Sequence, residues 1–186
     1  MTNVIGTLKL EPAISRLDLL AAPVAAALEV WPAEAPIDGD QLLVAPISAD
    51  LADTAAFCEA YDVKLGESAN CVIVAGKRGG VTRYAACVVL ATTRADVNGS
   101  VRRYLDVRKA SFAPTEEAVR LTGMEYGGIT PIGLPKDWPV LVDARVVATP
   151  HVIIGSGVRH SKIAIAGPAL GALPGAEVIE GLAREV

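Results

Sequence analysis

Apolar residues recur along this chain in runs whose length and spacing change from segment to segment. Leu19 to Val30, rich in Ala and Leu, reads as a helix with Pro23 near its first turn. Leu42 to Ile47 reads as a short strand. Ser48 or Asp50 can cap a helix running to about Tyr61, with Leu51, Ala55 and Cys58 as its apolar stripe and Asp53 opposite. Asn70 to Ala75 and Tyr84 to Thr92 are nearly continuous apolar runs, as in buried central strands, and GKRGG (Gly76 to Gly80) between them is hairpin punctuation. Thr93 with Asp96 has capping-box spacing and predicts a helix to about Leu105. A second helix follows, with Pro114 at its start, Glu116 and Glu117 in its first turn and Gly123 at its exit. Val140 to Val147, His151 to Gly155 and Ser161 to Ala166 read as strands, and Ala176 to Arg184 as a final helix. Paired strands with helices grouped between them predict an α+β domain with a mixed, mostly antiparallel sheet.

Composition narrows this picture. A chain of 186 residues that is 52% hydrophobic but 4% aromatic is expected to be one domain cored by Ala, Val, Leu and Ile. Trp31 to Asp40 reads as an exposed loop, and the helix before it can pack on its own domain or on a second copy in a homodimer. No apolar run reaches the ~20 residues that span a bilayer. The start, MTNVIGTLKLEP, carries no export pattern, and Cys58, Cys71 and Cys87 have no paired spacing. Both features predict a cytoplasmic protein with reduced thiols. A net charge of −4 argues against broad affinity for nucleic acid, DNA included. Local contacts stay open: Lys77, Arg78 and Arg83 surround one turn, and Arg102, Arg103, Arg108 and Lys109 surround a helix end. The latter group suits either a helix C-terminus or a phosphate.

Chemistry concentrates in Thr122 to Pro135, TGMEYGGITPIGLP, with four glycines and two prolines. Gly127 and Gly128 allow positive φ and close approach, while Pro131 and Pro135 stiffen the loop. Such a loop can present backbone N–H groups to a carbonyl, an oxyanion or a ribose hydroxyl. Phosphate-loop, dinucleotide, nucleophile-elbow and HExxH motifs are absent from the sequence. His151 and His160 alone do not make a metal site, so no metal or other cofactor is expected. Cys71 reads as a small buried hydrophobe. Asn70, opening a strand, can either donate to a substrate carbonyl or phosphate or bond its own backbone. Asp143 sits by default on the solvent side of an edge strand, and can alternatively accept from an ammonium group. Gly155 and Gly157 read as hairpin punctuation.

Taken together, GMEYGGITPIGLP with its Gly127-x-x-x-Pro131 core, the strand from Asn70, KASFAPTEEAVRLTG, PVLVDARV and VIIGSG resemble the YbaK-like aminoacyl-tRNA deacylases. These are freestanding relatives of the editing domain inserted in bacterial prolyl-tRNA synthetase. The resemblance covers roughly Ala49 to Ala166. It implies a barrel-like α+β sheet flanked by helices, with residues 1–41 as an extension. It also implies metal-free hydrolysis of the ester joining a wrong, small amino acid to the terminal ribose at the tRNA acceptor end. By position, Gly127, Gly128, Ile129, Thr130 and Pro131 would form the holding loop, with Gly128 and Thr130 among its catalytic members. Asp143 matches an acidic residue and His160 lies near a histidine position; Gly155 joins them as substrate-binding. Asn70 stands where the family carries a lysine in a pattern like V-x-K-T-L, and Lys64 or Lys77 would have to reach back to replace it. A non-catalytic member that binds an aminoacyl group, an amino acid or a protein partner is the alternative.

Overall fold

The structure, a computed structural model, describes residues 5–34 and 42–186. A short strand β1 (Glu11–Pro12) and two 3-10 turns lead into helix α1 (Ala22–Glu34). Pro23 lies in its first turn, where a missing N–H costs nothing. Val24, Leu28 and Trp31 are buried in the main core, so the helix packs on its own chain. It runs past Val30; the rest of the loop expected up to Asp40 lies outside the described residues.

Strand β2 (Leu43–Pro46) precedes a separate 3-10 turn, and helix α2 (Thr54–Tyr61) begins only after Asp53. Its buried face is Phe57 and Cys58; Leu51 belongs to the preceding turn and Ala55 is exposed, which corrects the expected stripe. Strands β3 (Ala69–Arg78) and β4 (Val81–Leu90) form the expected hairpin, turning at Gly79 and Gly80 with φ of +58° and +79°. That pair of positive φ values suits a two-residue turn matched to strand twist.

Thr93 does not open a helix. It starts strand β5 (Thr93–Ala95), and Asp96 caps the next turn by accepting from the Ser100 amide at 3.0 Å. A π-turn then leads to helix α3 (Arg102–Leu105). Two residues of the hairpin-turn group, and not of the helix-end group, serve the end of α3: Arg83 donates to the Leu105 carbonyl at 2.8 Å, and Arg78 pairs with Asp106. Strand β6 (Ala110–Phe112) and helix α4 (Thr115–Thr122) follow, with Pro114 at the N-cap and Gly123 exiting at φ +68°.

Strand β7 (Val140–Asp143) ends earlier than expected, because Asp143 caps a helical turn, α5 (Ala144–Val147). Strands β8 (His151–Gly155) and β9 (Ser161–Ala166) agree with expectation. After helix α6 (Gly167–Gly171), the expected C-terminal helix is instead two strands, β10 (Ala176–Ile179) and β11 (Ala183–Glu185). β10 pairs with β7 and β11 with β5, so tertiary pairing overrides helical propensity.

The strands form a four-stranded sheet in the order β1-β2-β9-β8, a five-stranded sheet β10-β7-β4-β3-β6, and the β5–β11 pair. Among the described strands the parallel pairings are those of β7 with β10 and with β4, so the fold is α+β and mostly antiparallel. It is not closed into a barrel. β3 and β8 approach through a single bridge, Ser68 to Ile153, and part beyond it.

The main core fills the space between the two larger sheets. Ala86, Val88 and Leu90 of β4 face it, as do Val152 and Ile154 of β8 and Ile163 and Ile165 of β9. Alternate residues face outward into two further clusters: Ala85, Cys87 and Val89 meet Val101 and Leu105, while Ile153 and Ala164 meet Phe57. The central strands β4, β7, β8 and β9 are therefore buried on both faces over most of their length, which explains their continuous apolar runs.

Candidate functional site

A cleft of about 350 Å³ opens where β3 and β8 part. Asn70, Cys71 and Ile73 line one wall, Phe112 and Thr115 another, and Gly127, Ile129 and Gly155 the side opposite. Asp53 and Thr54 stand at the α2 end, and Lys162 completes the lining.

The glycine loop is held by backbone contact. Gly127 adopts φ +78°, and a Cβ there would strike the Arg159 guanidinium. A Cβ on Gly128 would lie 2.8 Å from the Val158 carbonyl carbon and oxygen. Gly157 donates to the Gly128 carbonyl at 2.7 Å, and Glu125 to the Gly157 carbonyl at 2.8 Å. Arg159 then laces the loop to the α2 side, donating to the carbonyls of Tyr126 (3.1 Å) and Ala49 (3.2 Å), with Asp53 at 3.7 Å. Beneath the β8–β9 turn the buried Ser161 hydroxyl donates to Ser156 Oγ at 2.6 Å. The loop is thus shaped by its neighbours, and adjacent glycines are the price of backbone packing on backbone.

Asn70 reaches the cleft, where its Oδ1 accepts from the Thr54 hydroxyl at 2.7 Å. With that oxygen engaged, Asn70 offers the cleft its amide N–H pair. Cys71 also lines the cleft, but burial pushes its thiol well above the ordinary range, and burial pushes Cys87 up to about 12. Neither supplies a thiolate near neutral pH.

Among the residues marked in the sequence, Asn70, Gly127, Ile129 and Gly155 are brought together here, with Gly128 buried directly behind them. Others lie elsewhere. Pro131 lines a second, larger cavity of about 800 Å³ beside α1, Trp138 and Leu173. Lys64 is exposed, 4.0 Å from Glu67, and His160 is exposed in the β8–β9 turn. Lys77 is exposed at the far end of the β3–β4 hairpin. Asp143 is buried on β7, between β10 and β4, and not on the solvent side of an edge strand. Its carboxylate accepts from the amides of Arg145 and Ala183, each at 2.9 Å.

Thr130 is fully buried. Its amide donates to Met124 Sδ at 3.5 Å, and its hydroxyl has no partner among the described residues. Thr130→Val is expected to raise stability by about 1 kcal/mol, because an unpaired buried hydroxyl costs roughly 1–3 kcal/mol. Chemical denaturation checks this, and a destabilised variant would show that the hydroxyl is needed where it is.

Two site residues escaped the sequence reading, Lys162 and Arg159. Lys162 interrupts an otherwise apolar strand, SKIAIA, and that interruption was the available signal. It is 8% exposed, donates to the Ala52 carbonyl at 2.9 Å and lies 5.2 Å above the Phe57 ring centroid. Burial lowers its pKa from the ordinary lysine value, countered in part by Cys58 and Asp53 and reinforced by Arg159.

An α+β scaffold of two facing sheets, with a backbone-built glycine loop over a small cleft, defines the structural class. Residues 48–173 match the aminoacyl-tRNA editing domain, and the chain belongs to that family. Among solved structures, a candidate trans-editing enzyme for prolyl tRNA synthetase aligns with a TM-score of 0.71 and 23% identity, over 89% of this chain and 97% of its own. A scaffold protein for computationally grafted linear epitopes aligns at 0.72 and 22%, over 89% and 97%. The hypothetical protein APE2540 aligns at 0.67 and 21%, over 76% and 90%. At these identities the solved structures establish the fold. No match was found among curated proteins. Among the described residues no helix is long and apolar enough to cross a membrane.

Proposed function

We propose that this chain is a trans-acting deacylase, hydrolysing the ester between a small, mischarged amino acid and the terminal ribose of tRNA. The observation that carries this reading is the convergence of Asn70, Gly127, Ile129 and Gly155 on one cleft of about 350 Å³. That volume is at the small end for ligand sites and suits a compact acyl group. Water attacks the carbonyl carbon, assisted by a hydroxyl of the terminal ribose. The bond from that carbon to the ribose ester oxygen breaks, and the proton from water goes to the released ribose oxygen. Backbone donors of the loop, with the Asn70 amide, face the oxygen on which charge develops, and each such donor contributes about 3–4 kcal/mol. No cofactor takes part in this scheme. The chain as a whole acts as the editing unit, in the cytoplasm where mischarged tRNA is made.

Purified protein incubated with a panel of mischarged tRNAs tests the proposal. Release of amino acid from at least one, above the rate without protein, is expected. No release from any, at high protein concentration, overturns it. The residue at position 70 favours a second reading, a non-catalytic module that binds an aminoacyl group. Asn70→Lys separates the two: a deacylase that uses Asn70 loses activity in this variant, whereas a degenerate module gains activity from none.

A further inference from the structure

Lys162 is costly where it stands. β9 carries it on the face shared with Ala164, directly across the ladder from Gly155. Gly155 is in turn the position at which the glycine loop's carbonyls press on β8. Among the described residues no carboxylate lies within ion-pair distance of Lys162. The nearby Asp53 is 3.7 Å from Arg159 instead. One carbonyl and one aromatic face therefore stand in for the water that a buried ammonium gives up, and they replace only part of it. An ammonium has three donors, and the Ala52 carbonyl occupies one. A methionine would fill the same space without the desolvation. A buried, unpaired cation lining a cleft is better explained by a ligand than by the fold.

We propose that Lys162 is the cation of this site, donating from its ammonium to the carbonyl oxygen of the bound acyl group. The inference rests on reading the cleft as an aminoacyl site. As water adds to the carbonyl carbon, the electron pair of the C=O bond moves onto that oxygen, and Lys162 stabilises the charge. When the pair returns, the ribose oxygen leaves and takes the proton from water. Lys162 keeps its own proton throughout. It thus supplies, from β9, a charge that Asn70 on β3 does not carry. Its burial favours the acyl oxygen over a backbone phosphate, because a cleft-lining side chain 8% exposed is withdrawn from the solvent-facing surface.

Lys162 must be protonated for this role, and burial lowers its pKa. Cys58 and Asp53 from the α2 side and Arg159 from the β8–β9 turn are the charged or titratable groups that act on it. The rate of wild type relative to Lys162→Met should therefore fall as pH rises through that lowered pKa.

The test compares wild type, Lys162→Met and Lys162→Arg in two assays. One is release of amino acid from the tRNA panel. The other is binding of alanyl-adenosine with an amide in place of the ester. Lys162→Met should melt at the same temperature as wild type or higher. It should lose at least about 100-fold in kcat, the scale of removing one oxyanion donor, and at least about tenfold in analogue affinity. Lys162→Arg should recover part of both. A Lys162→Met protein that binds and hydrolyses like wild type, or whose losses follow a lowered melting temperature, overturns the inference. So does a relative rate that rises with pH, which would make Lys162 a base. If wild type binds the analogue through Lys162 but hydrolyses no tRNA, the deacylase reading fails and the lysine site stands. If wild type does neither, both fail.

Discussion

Gly155→Ala is expected to lower the rate of the proposed deacylation by about 100-fold while leaving the fold in place. A Cβ at this position would lie 2.5 Å from the Gly128 carbonyl oxygen and 2.8 Å from that of Ile129. Both are backbone atoms of the glycine loop, so no rotamer change relieves the clash and the loop itself must move. Overpacking of this kind costs about 1–3 kcal/mol of stability. Its effect on chemistry is larger, because a displacement of about 1 Å in a positioned donor costs on the order of 100-fold. Gly66→Ala provides the control: a Cβ there meets nothing within 4 Å. Release of amino acid from mischarged tRNA, measured beside thermal denaturation, checks the pair. Equal activity in the two variants would mean that the loop's position does not govern the reaction.

Asp143→Ala is expected to destabilise the protein by about 3 kcal/mol. The buried carboxylate accepts from Arg145 at the start of α5 and from Ala183 at the start of β11. Hydrogen bonds to a charged group contribute roughly 1.5–3 kcal/mol each, and truncation leaves two amides without their acceptor. Because Ala183 begins the pairing of β11 with β5, the C-terminal strand should loosen first, against Ala95 and Arg94. Urea denaturation gives the magnitude, and hydrogen exchange of the β5 and β11 amides gives the location. An unchanged stability with weakened substrate binding would instead return Asp143 to the substrate side of the account.

Asp143 shows why local reading misassigns some polar residues. Asp143 follows VLV, a setting that by itself suggests the solvent side of an edge strand. Only the docking of β10 and β11 buries it and brings Ala183 to its carboxylate. The segment from Ala176 to Arg184 has residues common in helices, yet it pairs as strands because β7 and β5 present open edges there. Thr93 and Asp96 have the spacing of a capping box, and the structure uses the Asp alone. Ala183 for Asp143, β7 and β5 for the C-terminal strands, and β11 for Thr93 are all tens of residues away.

Elements whose causes are local can be read from the order of residues. The β3–β4 hairpin follows from Gly79 and Gly80, and α4 from Pro114, Glu116, Glu117 and Gly123. The glycine loop was legible for the same reason, since positive φ and close backbone approach require glycine wherever the chain goes next. Membership of the aminoacyl-tRNA editing family was legible too, because it rests on motif order along the chain. Long-range packing sets the rest: the sheets stay open, the opening is the cleft, and the cation in it comes from β9. A lysine in an apolar strand is a local oddity. The Phe57 ring, the Ala52 carbonyl and the loop opposite make it part of a site, and these come from segments that only folding brings together.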